Sequence, residues 1–453
     1  MRSINPTSGK TIREYQEHTG PEVEEIIRDV HAAWLNWKET SFEQRTILMK
    51  KAAQILRERK EHCARLMTLE MGKLFRESMA EIEKCAWVCD HYADHAAEML
   101  KDEEVATDAS RSFITFQPLG PILAVMPWNF PFWQVIRFSA PALMAGNAAV
   151  LKHASNVPGC ALAIEEVFLE AGFPQHLFRT LMIPSAAVEK VISNPSIVAV
   201  TLTGSEAAGS QVASRAGKFL KKTVLELGGS DPFIVLEDAD VDAAVKTAVV
   251  ARMINQGQSC IAAKRFIVVE PMMRQFETGL KSAFESLRMG DPMDPETQVG
   301  PMARPDLVDE IEKQVNASVA AGARLVTGGH RVAGAGCYFE PTILADITKG
   351  MPVYSQETFG PVVSLITARD EEDAISIANN SEFGLGGCVW TRDLKRGETI
   401  ARRVETGAMF VNGMTKSDPR LPFGGIKKSG YGRELGTYGI REFVNVKTIW
   451  VGE

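Results

Sequence analysis

Apolar residues recur at three- and four-residue spacing through EVEEIIRDVHAAW, QRTILMKKAAQILRERKEHCARLMTLEMG and ESMAEIEKCAWVCDHYADHAAEML, with charged residues between them. This period predicts amphipathic helices across residues 21–104. SRSFITFQPLG then reads as β-rich, able to pair outside its own unit. From Pro121 the pattern changes to short apolar runs separated by helical stretches. ILAVMP, AAVLKH, FRTLMIP, VAVTLTG and TVLELGG read as buried strands, with helices at 158–171, 185–193 and 205–220. A second series begins at Asp231: PFIVLE, a helix near 240–254, RFIVVE, and a helix near 272–288. ARLVTGG, VVSLITA, GGCVWT and GAMFVNG continue it, and the tail REFVNVKTIWV is again strand-like. Strand–helix alternation of this kind argues for parallel sheets with crossover helices. The fold class is therefore α/β, with two α/β units and separated β-rich segments near 107–119 and 440–452 that fit a small bridging element.

The chain has 453 residues, 45% hydrophobic and 24% charged, which excludes wholesale disorder and leaves material for large cores. A net charge of −7 offers no global attraction to nucleic acid or to an anionic membrane. Ser112 to Ile136 carries no charge, but Pro118, Pro121, Pro127 and Pro131 interrupt it too often for one spanning helix. It reads instead as strand, loop and helix start. MRSINPTSGK lacks the apolar core of a secretory leader. The seven cysteines are odd in number and scattered, so free thiols in a reducing, cytoplasmic setting are expected.

Of these cysteines, Cys260 stands apart. It sits in NQGQSCIAA, a Gly- and polar-rich break before a strand, where a thiol can be reached and used as a nucleophile. Cys63, Cys85, Cys89, Cys160, Cys337 and Cys388 lie in apolar or amphipathic surroundings and read as core residues. Glu226 ends the apolar run before Gly228 and Gly229. Desolvation there would raise its pKa toward that of a general base, although an ion-paired or capping Glu is an equal reading. Asn129, in MPWNFPFW, offers a neutral amide donor suited to an oxyanion hole, but a turn Asn is common. TGSEAAG joins a strand to a helix and could expose backbone N–H groups to a phosphate, without being the G-x-G-x-x-G fingerprint. Lys152 ends a strand where a cation could meet ribose or phosphate. His91 and His95 lie four apart, but Tyr92 stands where a zincin glutamate would be. A solvated helix face is the expected role, and no metal is expected.

Taken in order, PWNFP at 127–131, LKHAS at 151–155, TGS at 203–205, LELGG at 225–229, GQSC at 257–260, ETFGP at 357–361, FVNG at 410–413 and PFGGIKKSGYGRE at 422–434 resemble the aldehyde dehydrogenase superfamily over essentially the whole chain. KHASNVPGCA, GQSCIAAKRF and NGMTKSDPRLPFGG are most similar to its bacterial succinate-semialdehyde dehydrogenases. The resemblance implies a cofactor-binding domain from 1–106 and 120–228 and a catalytic domain from 229–425. It implies a bridging, oligomerising element from 107–119 and 437–453, and hence a homodimer or dimer of dimers.

By the same resemblance, Cys260 attacks an aldehyde to give a thiohemiacetal whose oxyanion meets the Asn129 amide and the Cys260 N–H. Hydride passes to a nicotinamide, and Glu226 activates the water that hydrolyses the thioester. Trp128, Lys152, Ser155, Gly204, Ser205, Leu227, Glu357 and Phe359 are the implied cofactor residues. Ser155 stands where many NAD-preferring relatives carry a carboxylate, so NADP is expected to be preferred, with NAD possible. Arg137 is the candidate cation for a substrate carboxylate, with Ser259 and Ser417 beside it; a structural ion pair is the competing role for Arg137. The small-molecule substrate is expected to be succinate semialdehyde. The alternatives are another short semialdehyde such as glutarate semialdehyde, or a non-catalytic nucleotide-binding relative.

Overall fold

The computed structural model describes residues 1–453. Helices Gly20–Trp37, Phe42–Glu58, Lys60–Met71 and Phe75–Met99 fill the amphipathic region. Their starts follow from capping: Ser41 Oγ accepts the Gln44 N–H, and the Gln44 side chain returns to the Ser41 N–H at 2.9 Å. The run from 44 to 72 is two helices, not one, broken at Arg59 and closed at Gly72, whose φ of +79° suits glycine.

These helices pack on a six-stranded sheet in the order Gly430–Tyr431, Lys222–Glu226, Ala199–Thr203, Pro121–Met126, Ala148–His153, Phe178–Thr180. All its neighbours are parallel except the first pair. The register sets Lys152 beside Val125, Val125 beside Leu202, and Thr203 beside Glu226, so 127–131, Lys152, Gly204 and Glu226 gather at one end. The uncharged stretch becomes strand Arg111–Pro118, strand Pro121–Met126 and the start of helix Trp133–Met144. No helix is long and apolar enough to cross a membrane.

A seven-stranded sheet runs Arg324–Thr327, Thr342–Ala345, Val362–Ala368, Ala263–Val269, Asp231–Val235, Gly386–Trp390, Ala408–Val411. Only its first pair is antiparallel. Alternate residues serve its two faces: Ile234 packs on one side, Phe233 and Val235 on the other. Cys260 and Glu357 precede their strands here. The C-terminal end of the six-stranded sheet therefore meets the N-terminal end of the seven-stranded one at the candidate site. A third sheet pairs Arg111–Pro118 with Val444–Val451 antiparallel over eight residues, with Glu103–Glu104 on the inner side. Helix Pro305–Ala320, strand Thr342–Ala345 and the N-terminal hairpin of Arg2–Ile4 with Thr11–Glu14 had no clear signal in the pattern.

Candidate active site

Cys260 is the one cysteine with access to solvent; the other six are buried. Its loop is held in an unusual backbone shape. Asn255 and Gln256 take φ of 51° and 55°, a region that costs non-glycine residues, and Gly257 follows at +76°. A Cβ on Gly257 would stand 2.2 Å from the Gly360 carbonyl, so glycine is required by close approach as well.

Two buried cations fasten this loop to the 357–360 segment. Arg252 donates Nη2 to the carbonyls of Gly257 (2.6 Å), Gly360 (2.7 Å) and Thr358 (3.2 Å), and Nη1 to Ala263 O (2.9 Å). Lys264, fully buried, donates Nζ to Ser259 O (2.8 Å) and Cys260 O (2.5 Å) and pairs with Glu357 Oε1 at 3.3 Å. Burial pulls Arg252 down to about 9 and lowers Lys264, which Glu357 and Asp231 oppose. Glu357 Oε1 also accepts the Gly229 N–H at 2.9 Å, tying in the segment after Glu226. Neither cation was singled out from sequence; for Lys264 the available signal was a basic pair at the head of the apolar run AAKRFIVV, and Arg252, at the end of a helix in VVARMINQ, had none.

The turn bearing Asn129 is clamped from three sides. Gln134 Nε2 donates to Asn129 Oδ1 at 3.1 Å, which orients the amide so that Nδ2 is the donor. Nδ2 gives one hydrogen to Gln258 O at 3.1 Å, and Asn255 Nδ2 donates to Asn129 O at 2.8 Å. The Cys260 backbone N–H makes no hydrogen bond within the chain. His153 Nε2 donates to Pro131 O at 2.9 Å, while its Nδ1 accepts the Ala154 N–H; burial pushes the ring down to about 4, so it is neutral. Glu81 Oε1 accepts the N–H groups of Phe132 and Trp133, both at 2.9 Å, and Oε2 pairs with Lys73 at 2.5 Å. A carboxylate there also suits the start of helix Trp133–Met144.

Glu226 is buried and neither carboxylate oxygen has a hydrogen-bond partner. Burial raises its pKa well above the usual range, and the neighbouring Glu434 adds to this against Arg137. The side chain lies beside Gly424, where a Cβ would meet Oε1 at 2.6 Å, and lines neither cavity of the site. Arg137 Nε faces Glu434 Oε2 in a buried ion pair, Nη2 donates to Thr203 Oγ1 at 3.3 Å, and the guanidinium covers the Phe423 ring at 4.9 Å. The structural pairing weighed against an anchoring role is thus present. Arg137 is not a free cation, although it does line a cavity.

Two cavities meet at Cys260. One, of about 420 Å³, is mainly apolar and is lined by Phe130, Trp133, Met253, Ile254 and Ile261; Arg137, Ser259 and Ser417 are on its wall. Ser259 Oγ is buried there without a partner. The other, about 1000 Å³, is more polar and brings together Trp128, Asn129, Gly204, Ser205, Leu227, Glu357 and Phe359. Trp128 and Phe359 meet edge to face at 5.8 Å. Lys152 and Ser155 lie outside this lining, at the end of strand Ala148–His153. Lys152 Nζ has Ser185 Oγ at 3.3 Å and no carboxylate, and Ser155 is exposed.

A dinucleotide fits the larger cleft. Ser205 caps helix Glu206–Lys218, accepting the Ala208 N–H, and a Cβ on Gly209 would strike Leu227 at 2.5 Å. The helix N-terminus thus opens onto the cleft with polar donors; Lys152, on the strand two places along the sheet, has no carboxylate partner. Elsewhere, His91 and His95 stack at 4.6 Å. His91 is buried, contrary to the expected solvated face, with the Tyr92 ring edge-on at 5.3 Å and Asp418 and Arg420 acting on its charge, while His95 is exposed as expected.

The sequence profile of the "Aldehyde dehydrogenase family" matches residues 1–449. A probable succinate-semialdehyde dehydrogenase [NADP(+)] of Synechocystis sp. is 53% identical, covering 100% of this chain and 99% of its own. A succinate-semialdehyde dehydrogenase [NADP(+)] of Mycobacterium avium is 49% identical over 100% and 97%. The crystal structure of succinic semialdehyde dehydrogenase from Streptococcus pyogenes in complex with NADP+ superposes with a TM-score of 0.98 at 40% identity, covering 100% of both chains.

The buried cations generate a stability prediction. Lys264→Met leaves the Cys260 carbonyl without a donor, removes one of the two donors to Ser259 O and takes away the cation paired with Glu357, a change of the kind that costs about 3–5 kcal/mol. The urea midpoint should fall and aldehyde oxidation should be lost together. An unchanged midpoint with full activity would show that Lys264 does not hold the loop.

Proposed function

The chain belongs to the aldehyde dehydrogenase family, and we propose that it oxidises succinate semialdehyde to succinate with NADP as the preferred cofactor. The observation that carries this reading is the junction of the two cavities at Cys260, one side large, polar and fitted to a dinucleotide, the other small, apolar and rimmed with cations and hydroxyls. The part built on the six-stranded sheet holds the cofactor, and the part built on the seven-stranded sheet carries the nucleophile.

Cys260 Sγ attacks the aldehyde carbon. Burial pushes its thiol up to about 12, with Lys264 and Arg137 favouring the thiolate, so the resting group keeps its proton near neutrality and passes it to solvent water as Sγ bonds to the aldehyde carbon. The oxyanion of the thiohemiacetal accepts from the Cys260 N–H and the second hydrogen of Asn129 Nδ2, neither of which is spent on another acceptor within the chain. A nicotinamide held in the larger cleft would supply the hydride acceptor. Trp128, Gly204, Ser205, Leu227, Glu357 and Phe359 line its cleft, with Lys152 and Ser155 at the ribose end. The acyl group is then held on Cys260 as a thioester. Glu226, swung toward the thioester about its side-chain torsions, takes a proton from water. The hydroxide adds to the acyl carbon and Sγ leaves, giving the carboxylic acid. Ser259, Ser417 and Arg137 border the tail of the substrate.

The outer edge of strand Val444–Val451 is unpaired within the chain and exposes Val446 and Trp450. Such an edge is ordinarily covered. We assign it to a homodimer or a dimer of dimers, so that a monomer in light scattering with full activity would reject this role.

Glu226→Gln should slow thioester hydrolysis by about 10²–10⁴-fold while leaving the first hydride burst in single-turnover kinetics, the range expected of a general base. Loss of the burst with normal hydrolysis would reverse the assignment.

Cofactor choice turns on position 155. A carboxylate there would repel a 2′-phosphate near Lys152, so Ser155→Glu should shift the ratio of efficiencies, NADP over NAD, down by roughly 10-fold or more, about 1.4 kcal/mol. A wild type that prefers NAD, with a ratio unmoved by the substitution, would remove Ser155 from the selector role.

A further inference from the structure

Three cations line the cavity that holds Cys260: Arg76, Lys84 and Arg137. A substrate with a carboxylate at its far end needs a cation whose charge is not already spent on a neighbouring acid. Arg137 is engaged with Glu434. Arg76 is exposed, donates to Pro295 O at 3.2 Å, and sits beside Glu77. Lys84 differs from both. It projects from helix Phe75–Met99, is half-buried, and donates Nζ to Ser417 Oγ at 2.7 Å while resting 4.2 Å over the Trp133 ring. The carboxylates that act on it are each held by another cation: Glu81 by Lys73, and Asp418 by Arg420.

We propose that Lys84, steadied by Trp133 and Ser417, is the specificity-determining residue that binds the distal carboxylate of the substrate in the Cys260 cavity. The inference rests on the succinate semialdehyde reading above. Ser417 comes from the 414–421 loop and Lys84 from a helix, so the anchor spans two elements and its position is set by both. Ser417 can donate its hydroxyl hydrogen to the carboxylate while accepting from Lys84. An ammonium retains two further hydrogens for the same carboxylate. Burial, with Arg137 next, pulls Lys84 down to about 8, and an arriving carboxylate offsets that cost. The apolar walls around it strengthen the pairing by excluding water.

The test compares succinate semialdehyde with butanal, a four-carbon aldehyde without the carboxylate, in steady-state kinetics with NADP. Lys84→Met keeps an unbranched stem against Trp133 and removes the charge. The ratio of efficiencies, succinate semialdehyde over butanal, should fall by roughly 10- to 100-fold, chiefly through KM, as for the loss of a charge-assisted hydrogen bond. Lys84→Arg should recover part of it. Ser417→Ala, which removes less, should lower the ratio by roughly 3- to 10-fold and serves if Lys84→Met does not fold. A ratio unchanged in both variants, whether by no loss or by equal loss on both aldehydes, overturns the role of Lys84. A wild type with no preference for succinate semialdehyde is a separate result: it overturns the substrate reading and this inference with it.

Discussion

The site depends on two cations buried where water cannot reach them. Arg252 and Lys264 bear charges that would be prohibitive in an apolar interior unless oxygen atoms surround them. The chain supplies backbone carbonyls, from Gly257, Ser259, Cys260, Ala263, Thr358 and Gly360, and one carboxylate, Glu357. Most of these carbonyls come from loop, tight-turn or strand-start backbone outside the regular ladders; Ser259 O and Gly360 O each have one further backbone donor, Ala262 N–H and Val362 N–H. The two needs are met together. The left-handed residues Asn255 and Gln256 are the strain this arrangement sustains, and Gly257 is the point where no side chain fits.

From that fastening follows the shape of the site. Because Lys264 reaches Glu357, and Glu357 reaches Gly229, the nucleophile loop, the 357–360 segment and the end of the six-stranded sheet move as one. Asn129 is brought to the same place by a different route: Glu81 and His153 brace its turn, and Gln134 orients its amide. The Asn129 amide is therefore oriented before any substrate arrives, as a donor to a developing oxyanion has to be. Cys260 is left at the meeting of two cavities, open to an aldehyde from one side and to a dinucleotide from the other.

Most strands and helices were legible because a buried parallel strand and an amphipathic helix have distinct periods; ILAVMP and VVSLITA became strands within a residue of their apolar limits. Cys260, Asn129 and the cleft residues were legible through ordered motifs. What was hidden has a common physical reason. Arg252, Lys264, Glu81 and His153 act on backbone groups, and a backbone carbonyl or N–H leaves no mark in the sequence. Lys84 was hidden for another reason: in ESMAEIEKCAW it looks like the polar face of a helix, and only the fold shows that Trp133 and Ser417 close over it. An ion pair was one of the roles open to Arg137, but its partner was unreadable, because Glu434 lies 297 positions away and joins it through tertiary packing alone.

The charges also divide the site into two electrostatic halves. An anionic semialdehyde is repelled by ionised carboxylates near its path. Glu226 and Glu434 are two such groups, neither of them lines a cavity, and burial raises both. Arg137 lies between the two effects: it compensates Glu434 and lowers the repulsion felt at Glu226, without being consumed by the substrate. Glu226 itself, unpaired and raised by burial, favours its neutral form while the resting thiol is also neutral. The resting site thus avoids holding two anions in one apolar space. Desolvation thus sets the resting protonation of both groups, and a base at Glu226 has to give up its own proton before it can take one from water.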